Sequence, residues 1–243
     1  MTPADLLAAL FPSGHTVVVG PDNIMSGTAL ATGGTEVAVL GIANATPLSP
    51  EIAITLAGQI LDILRADDRK PIVLLIDTAS QRMTRRDEML GLYEYLGHLA
   101  KVITLAGARG HRTVGILYGT AAAGAFIATT LATQTLIAVD GAHPSVMDLP
   151  SIARVTKLPL ETLEEKARTT PIFAPGVAPL AATGAVAEIW TAANGDLSHR
   201  LATVLAAIPP ADDRDQLGAA RGGRKLAHDV AEKVAASFAG EAG

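Results

Sequence analysis

The chain has 243 residues, 49% of them hydrophobic and 18% charged, enough to bury a full core in what reads as one large domain. A net charge of -5 and an aromatic content of 3% leave neither the basic face nor the stacking platforms of a nucleic-acid binder. The absence of cysteine excludes disulfides, thiolate metal sites and a cysteine nucleophile. The acidic start Met1-Thr2-Pro3-Ala4-Asp5, and the lack of any uninterrupted apolar run of about 18 residues, lead to the expectation of a soluble cytoplasmic protein without a membrane partner.

Thr2 and Pro3 form an N-cap and first-turn pair for a short helix through Leu10, ended by Pro12-Ser13-Gly14. Val17–Val19 and Val37–Leu40 read as strands, with Thr28–Thr32 a short strand between glycine-rich turns. Ser49-Pro50-Glu51 caps an amphipathic helix to Ala66, on which Ile52, Leu56, Ile60 and Leu64 share one face. The continuous apolar run Ile72–Ile76 belongs in a parallel sheet covered on both sides. Thr84, with Asp87 three residues on, opens a long helix toward Ala108.

The unit then repeats as a strand over Thr113–Tyr118, a helix over Ala121–Thr133 and a strand over Thr135–Val139. Strands alternating with helices imply parallel strands joined by right-handed crossovers. From Pro150 the helical pieces are short and broken by Pro159, Pro171, Pro175 and Pro179, until Val186–Trp190 reads as a last strand. Leu197–Ile208 is a helix, Pro209-Pro210 a break, and Arg214–Phe238 a charged, alanine-rich helix. Residues 1–210 are thus assigned to one α/β domain, and 211–243 to a C-terminal helical tail that either completes this domain or docks on a partner.

Gly119-Thr120-Ala121-Ala122-Ala123-Gly124-Ala125-Phe126 is a small-residue turn between an apolar strand and an apolar helix, where free amides and the helix dipole favour an oxyanion. It lacks the Lys-Ser/Thr of a phosphate loop and the serine of a hydrolase elbow, so it offers dipoles and no nucleophile. The neighbouring strand ends in Asp77-Thr78-Ala79-Ser80-Gln81, and in a parallel sheet both turns face one crevice. Thr78, Ser80 and Gln81 supply neutral donors and acceptors there, and the Thr120, Ala121 and Ala122 amides a dipolar hole. The competing reading is that Thr78 and Ser80 only cap a loop and that the alanine run only lets two helices touch.

Other candidates are more ambiguous. Arg82, Arg85 and Arg86 either grip phosphates or form an exposed basic helix start. Asp140 and His143, in Val139-Asp140-Gly141-Ala142-His143-Pro144-Ser145, either reach the crevice as proton donors or stabilise a turn. His15, His98, His111, His199 and His228 have no metal-ligand spacing, and no metal site is expected. Tyr93, Tyr95 and Trp190 read as packing, and Asp212-Asp213-Arg214-Asp215 as a solvated linker.

A strand followed by Asp-Thr, and a later strand followed by Gly-x-x-x-x-Gly-Ala-Phe-Ile-Ala, resemble the crotonase superfamily and its carboxyltransferase branch. Within that branch the chain is most similar to the gamma subunits of biotin-independent malonate decarboxylases. The resemblance covers most of the chain, including Gly41–Asn44, Asp77–Arg82, Tyr118–Ala121 and Pro171–Val177. It implies a crotonase-like α/β fold, a spiral of ββα units with a C-terminal helical region. The nucleophilic serine of the related Clp-type proteases falls on Ala122, which argues against peptidase activity. The paired glycines of the carboxyltransferases fall on Thr120 and Ala121, which narrows the space above their amides and suits a small carboxylate better than biotin.

By the same resemblance, malonyl on the phosphoribosyl-dephospho-CoA arm of an acyl carrier protein would lie between this chain and a homologous beta subunit bearing a second oxyanion hole. This chain itself would hold no cofactor, and an alpha transferase subunit would be a further partner. Decarboxylation generates an enolate, so pre-aimed donors and a dry pocket lower the barrier without metal or nucleophile. On this reading Gly119, Thr120 and Ala121, with an amide at Ala79 or Ser80, bind the malonyl carboxylate or the enolate oxygen. Thr78, Gln81, Arg82, Ala122, Asp140, His143 and Ser145 surround the substrate, with Gln81 orienting it. Two alternatives stay open: an acyl-CoA hydratase or isomerase, although neither turn carries the glutamate it would use, and a non-catalytic scaffold subunit.

Overall fold

A computed structural model describes residues 1–171, 174–191, 196–207 and 212–241, with side chains to 238. Its framework is a sheet of eight described strands in the order β1-β2-β3-β4-β5-β6-β8, with β7 added beside β5. The strands are β1 (Val18–Val19), β2 (Ile24–Leu30), β3 (Glu36–Ile42), β4 (Ile72–Thr78), β5 (Thr113–Ala122), β6 (Thr135–Val139), β7 (His143–Ser145) and β8 (Glu188–Trp190). The helices are α1 (Pro3–Leu10), α2 (Pro50–Ala66), α3 (Arg85–Met89), α4 (Leu92–Ala108), α5 (Ala123–Ala128), α6 (Leu149–Thr156), α7 (Leu160–Thr169), α8 (Val177–Ala182), α9 (Leu197–Ala206), α10 (Arg214–Ala220) and α11 (Ala227–Glu241). Among the described residues no helix is long and apolar enough to cross a membrane.

The chain divides into two compact units, Met1–Val146 with Glu188–Pro209, and Met147–Ala187 with Pro210–Gly243. The boundary expected at residue 210, and the Pro209-Pro210 break, lie outside the described residues. In the first unit Val39, Val73, Leu75, Val114, Ile116 and Ile137 share a buried cluster with Leu6 and Leu10 of α1, Trp190, and Leu201 of α9. Strand alternation turns Leu74, Ile76 and Leu117 to the opposite face, and they too are buried. On the helix layer, α2 and α4 pack against each other, α2 on β3 and α4 on β5. In the second unit α6 packs on α7 and α10 on α11.

Helix starts follow their caps. Thr2 and Asp5 form a reciprocal capping box at α1, the Ser49 hydroxyl accepts the Ile52 amide at α2, and Thr84 accepts the Asp87 amide at α3. The parallel pairing implied by strand–helix alternation holds for only part of the sheet. β3 through β6, β7 and β8 pair in parallel, but β1, β2 and β3 are antiparallel. The link from β2 to β3 turns at Gly33 (φ +93°) and Gly34 (φ +87°), long enough for a hairpin and too short for a crossover. β2 also starts at Ile24, earlier than the Thr28–Thr32 strand expected.

Three expected helices are also redrawn. The helix from Thr84 to Ala108 is divided at Gly91, whose φ of +76° interrupts the α conformation. The helix from Arg214 to Phe238 is divided at Gly222, with φ +75°, and Gly223. Most consequential for function, the expected Ala121–Thr133 helix loses its first residues to β5, which runs to Ala122, and is then reduced to α5 and a 3-10 turn at Thr130–Ala132. Alanine is the best helix former, but propensity amounts to less than about 1 kcal/mol per residue, and here pairing with β4 on one side and β7 on the other overrides it.

Candidate active site

The carboxyl ends of β4, β5 and β7 meet on one edge of the sheet. Leu117 pairs with Ile76, but the next pair is Ala121 with Thr78, so three residues of β5 oppose the single residue Asp77. The Asp77 carboxylate fills that bulge. Its Oδ1 accepts the Thr120 amide at 2.9 Å and its Oδ2 accepts the Ala45 amide at 3.0 Å, tying β5 to the loop after β3. A Cβ added to Gly119 would lie 2.2 Å from Asp77 Cγ, so this glycine makes room for the carboxylate. The Thr120 amide, expected as a hole donor, is therefore engaged by a carboxylate of the chain itself.

The segment after β4 is held with similar economy. Buried Thr78 donates its hydroxyl to the Thr46 carbonyl at 2.6 Å. The Leu48 amide donates to the Ser80 carbonyl and the Arg82 amide to the Leu48 carbonyl, both at 2.8 Å. Ser80 donates its hydroxyl to the Gln81 carbonyl at 3.0 Å, and Gln81 Oε1 accepts the Gly124 amide at 2.9 Å. With Oε1 engaged by an N–H, Nε2 is the donor that Gln81 has left to offer. Among the described residues the amides of Ala79, Ser80 and Gln81 have no acceptor. These three amides are thus available to a ligand or a partner.

β7 brings the later candidates to this edge, in register Thr120 with His143, Ala121 with Pro144, and Ala122 with Ser145. Alternation puts Thr120, Ala122, His143 and Ser145 on one face. His143 is exposed and Thr120, Ala122 and Ser145 half-buried, whereas Ala121 and Pro144 are buried on the other. Asp140 stands apart, exposed before Gly141 (φ +85°), with its amide on the Trp190 carbonyl. Tyr118 is buried one residue before Gly119. Burial, with the Asp77 charge added, pushes its phenol above the ordinary tyrosine range, and its hydroxyl donates to the Ile42 carbonyl at 3.4 Å.

Arg82 is engaged by carboxylates of the chain itself. Its Nε and Nη2 reach the two oxygens of fully buried Asp87 at 2.6 and 2.9 Å, and Nη2 also reaches Glu51 at 3.2 Å. Arg86 bridges Glu51 at 2.6 Å and Asp87 at 3.1 Å. The bidentate Arg82 contact holds Asp87 well below the usual carboxylate range. The Glu51 backbone amide, followed by Arg86, lowers Glu51 to about 2. Of the three candidate phosphate-gripping arginines, only Arg85 has no ion pair among the described residues.

The other histidines lie elsewhere. His111 is buried with Nδ1 on the Lys70 carbonyl, His199 pairs with Asp196, and His228 lies between Asp215 and Glu232. Among the described residues no cluster of three metal-ligating side chains occurs. Asp77 is the residue that sequence reasoning missed as an actor. Its signal was an acid at a strand end with a glycine at the corresponding end of the next strand. The Pro171–Val177 segment falls partly outside the described residues, at 172 and 173.

Comparison with known proteins agrees with this architecture. The model of the malonate decarboxylase gamma subunit family, MdcE, matches residues 43–238. The malonyl-S-ACP:biotin-protein carboxyltransferase MADD of Malonomonas rubra is 28% identical over 134 residues, covering 54% of this chain and 46% of MADD, so the chain spans about half the length of that relative. A Pseudomonas malonate decarboxylase hetero-tetramer solved with coenzyme A superposes at a TM-score of 0.81 with 22% identity, covering 96% of this chain and 97% of the matched one. A Pseudomonas MdcD-MdcE hetero-dimer superposes at 0.74 with 23% identity, covering 94% and 97%. These likenesses bear out the crotonase-like α/β fold, and the family match over most of its length shows that the chain belongs to the malonate decarboxylase gamma subunit family.

Proposed function

We propose that this chain, paired with a homologous beta subunit, decarboxylates malonyl held as a thioester on an acyl carrier protein. The observation that carries the proposal is the unpaired amide run at Ala79, Ser80 and Gln81, beside a bulged β5 and the Gln81 side chain, whose Oε1 accepts the Gly124 amide. When the bond between the malonyl carboxylate carbon and the methylene carbon breaks, its electron pair delocalises onto the thioester oxygen. Amides aimed at that oxygen stabilise the enolate, and one such donor is worth about 10²- to 10³-fold in rate. A proton then adds to carbon, and acetyl thioester and CO2 result.

In this scheme the Ala79 and Ser80 amides take the enolate oxygen or the carboxylate, and Gln81 Nε2 orients the substrate. Thr120, with Ala121 and Ala122, forms the floor under it, its amide shared with Asp77. Exposed His143, paired with Thr120, is the nearest of the candidate proton donors in register. Supporting the reading of a partner are the hetero-dimer and hetero-tetramer of the matched Pseudomonas proteins. We extend it to a carrier bearing a phosphoribosyl-dephospho-CoA arm, to an alpha transferase subunit that loads it, and to a cytoplasmic setting. The hydratase alternative is disfavoured by the family match.

The test is CO2 release from malonyl-carrier by the chain with its beta partner. Gln81→Leu should lower kcat by about 10²-fold, and Ser80→Pro, which deletes one amide donor, by a similar factor. Equal rates for the pair and for the beta partner alone would overturn the catalytic role and favour a scaffold.

A further inference from the structure

In the second unit, Gly222-Gly223-Arg224-Lys225 joins α10 to α11 beside a cavity of about 460 Å³ lined by Thr169, Thr170, Gly222, Arg224, Lys225 and their neighbours. The loop is built to one conformation. A Cβ on Gly223 would lie 2.2 Å from the Ala182 carbonyl oxygen, one on Gly218 2.4 Å from that of Thr183, and one on Gly184 2.1 Å from that of Arg214. Backbone therefore approaches backbone at three points where only glycine fits. Arg221 completes the lock with Nη1 on the Ala181 and Val186 carbonyls at 2.8 and 2.7 Å, and Nη2 on the Ala187 carbonyl at 2.8 Å.

The two cations next in line are left over. The Arg224 stem runs over Gly218, with Cδ 3.0 Å from the site of an added Cβ, and Lys225 Cε curls over Gly222 at 3.6 Å. Neither charged head has a hydrogen bond or ion pair among the described residues. Asp229, in the first turn of α11, is exposed and pairs with neither. The Arg224 and Lys225 side chains are both exposed, and nearby Arg214 meets Asp212. In a chain of net charge -5, a locked loop holding a guanidinium fork and an ammonium unpaired at a cavity is an arrangement that an anion completes.

We propose that this cavity binds a phosphate ester, with the Arg224 fork and the Lys225 ammonium on its oxygens. The cavity has the size of a small-molecule site, and the head of α11 adds partial positive charge. Resting on the decarboxylase reading, we assign the ester to the coenzyme-A-like arm that carries the acyl group.

The test is isothermal titration of the full chain with coenzyme A, pyrophosphate and phosphate-free pantetheine. Coenzyme A should bind and pantetheine should not, and Arg224→Ala/Lys225→Ala should weaken coenzyme A roughly tenfold or more. Arg224→Lys/Lys225→Arg, which keeps both charges, should retain most of the affinity. Pyrophosphate binding as tightly as coenzyme A, and lost in the alanine variant, supports a site for the phosphate group itself; coenzyme A alone binding supports the whole arm. Unchanged affinities in an alanine variant of native circular dichroism, or a wild-type chain that binds neither coenzyme A nor pyrophosphate, would overturn the proposal. No turnover is read, so a failed CO2 assay sinks the decarboxylase reading and leaves this result standing.

Discussion

Asp77 sets the geometry of the candidate site through two backbone amides and one missing side chain. Because the Gly119 α-carbon faces Asp77 Cγ, Gly119→Ala forces a methyl group to within 2.2 Å of it, and either the carboxylate leaves the Thr120 amide or the bulge opens. Overpacking of this kind costs about 1–3 kcal/mol, which urea unfolding would read directly. Asp77→Ala should relieve part of that cost, so the double variant should be less destabilised than the sum of the singles. Strict additivity would mean that Gly119 answers to something other than Asp77.

The acidic residues nearby make an acid-sensitive joint. Glu51 has its pKa lowered from 4.5 to about 2 by its own amide and by Arg86, and Asp87 is lowered by Arg82. A depressed carboxylate pKa contributes stability that is fully present above its unfolded value and lost as pH falls through the folded value. The Glu51 contribution should therefore be intact above about pH 4.5 and fade toward pH 2. Urea midpoints measured from pH 6 to pH 2.5 should fall for the wild-type chain and fall less for Glu51→Gln. A variant curve parallel to the wild type would show that the pair carries no linkage. Its solvent exposure makes the expected difference modest.

At the scale of elements, glycines at positive φ separate α3 from α4 and α10 from α11. Gly91 sits at φ +76° between α3 and α4, and a residue with a Cβ is disfavoured there by roughly 1–2 kcal/mol. Gly91→Ala should lower stability by about that amount, read as a shift in urea midpoint with unchanged m, whereas Gly97→Ala, inside α4 with open space around it, should be neutral or stabilising. This contrast also explains what the sequence disclosed. Apolar runs and caps gave α1, α2, β4 and the start of β5 to within a residue or two, because Ser49, Thr2 and Ile72–Ile76 act locally. The end of β5 was hidden because Ala121 and Ala122 have no local preference strong enough to resist pairing with Thr78, Pro144 and Ser145. The crevice was legible as two strand ends, but the ownership of the Thr120 and Gly124 amides by Asp77 and Gln81 depends on distances across 43 residues of chain.

Across the whole molecule, a chain with one tryptophan and 3% aromatic residues builds its core mainly from aliphatic side chains. Trp190 is the largest of its few buried aromatic side chains, with Phe11, Phe126 and Tyr118. It is fully buried on β8, with Nε1 donating to Glu188 at 2.7 Å and Arg200 lying 5.4 Å above the ring, itself paired with Glu188 at 3.1 Å. The cluster it belongs to runs from α1 through β5 to α9, so this ring reports on one face of the sheet in the first unit. Native emission should accordingly lie in the blue range of a buried indole and move to the red in one step as that unit unfolds. Trp190→Phe keeps an aromatic ring but removes the hydrogen bond and the better cation–π partner, a loss of about 1–3 kcal/mol. Trp190→Ala leaves a cavity and should cost about 3–5 kcal/mol, enough to approach the whole stability of an ordinary domain. Circular dichroism is the measure for both variants, since the fluorescent reporter is gone. Equal costs for Phe and Ala would mean that the polar contacts of the ring, and not its volume, hold this edge of the sheet.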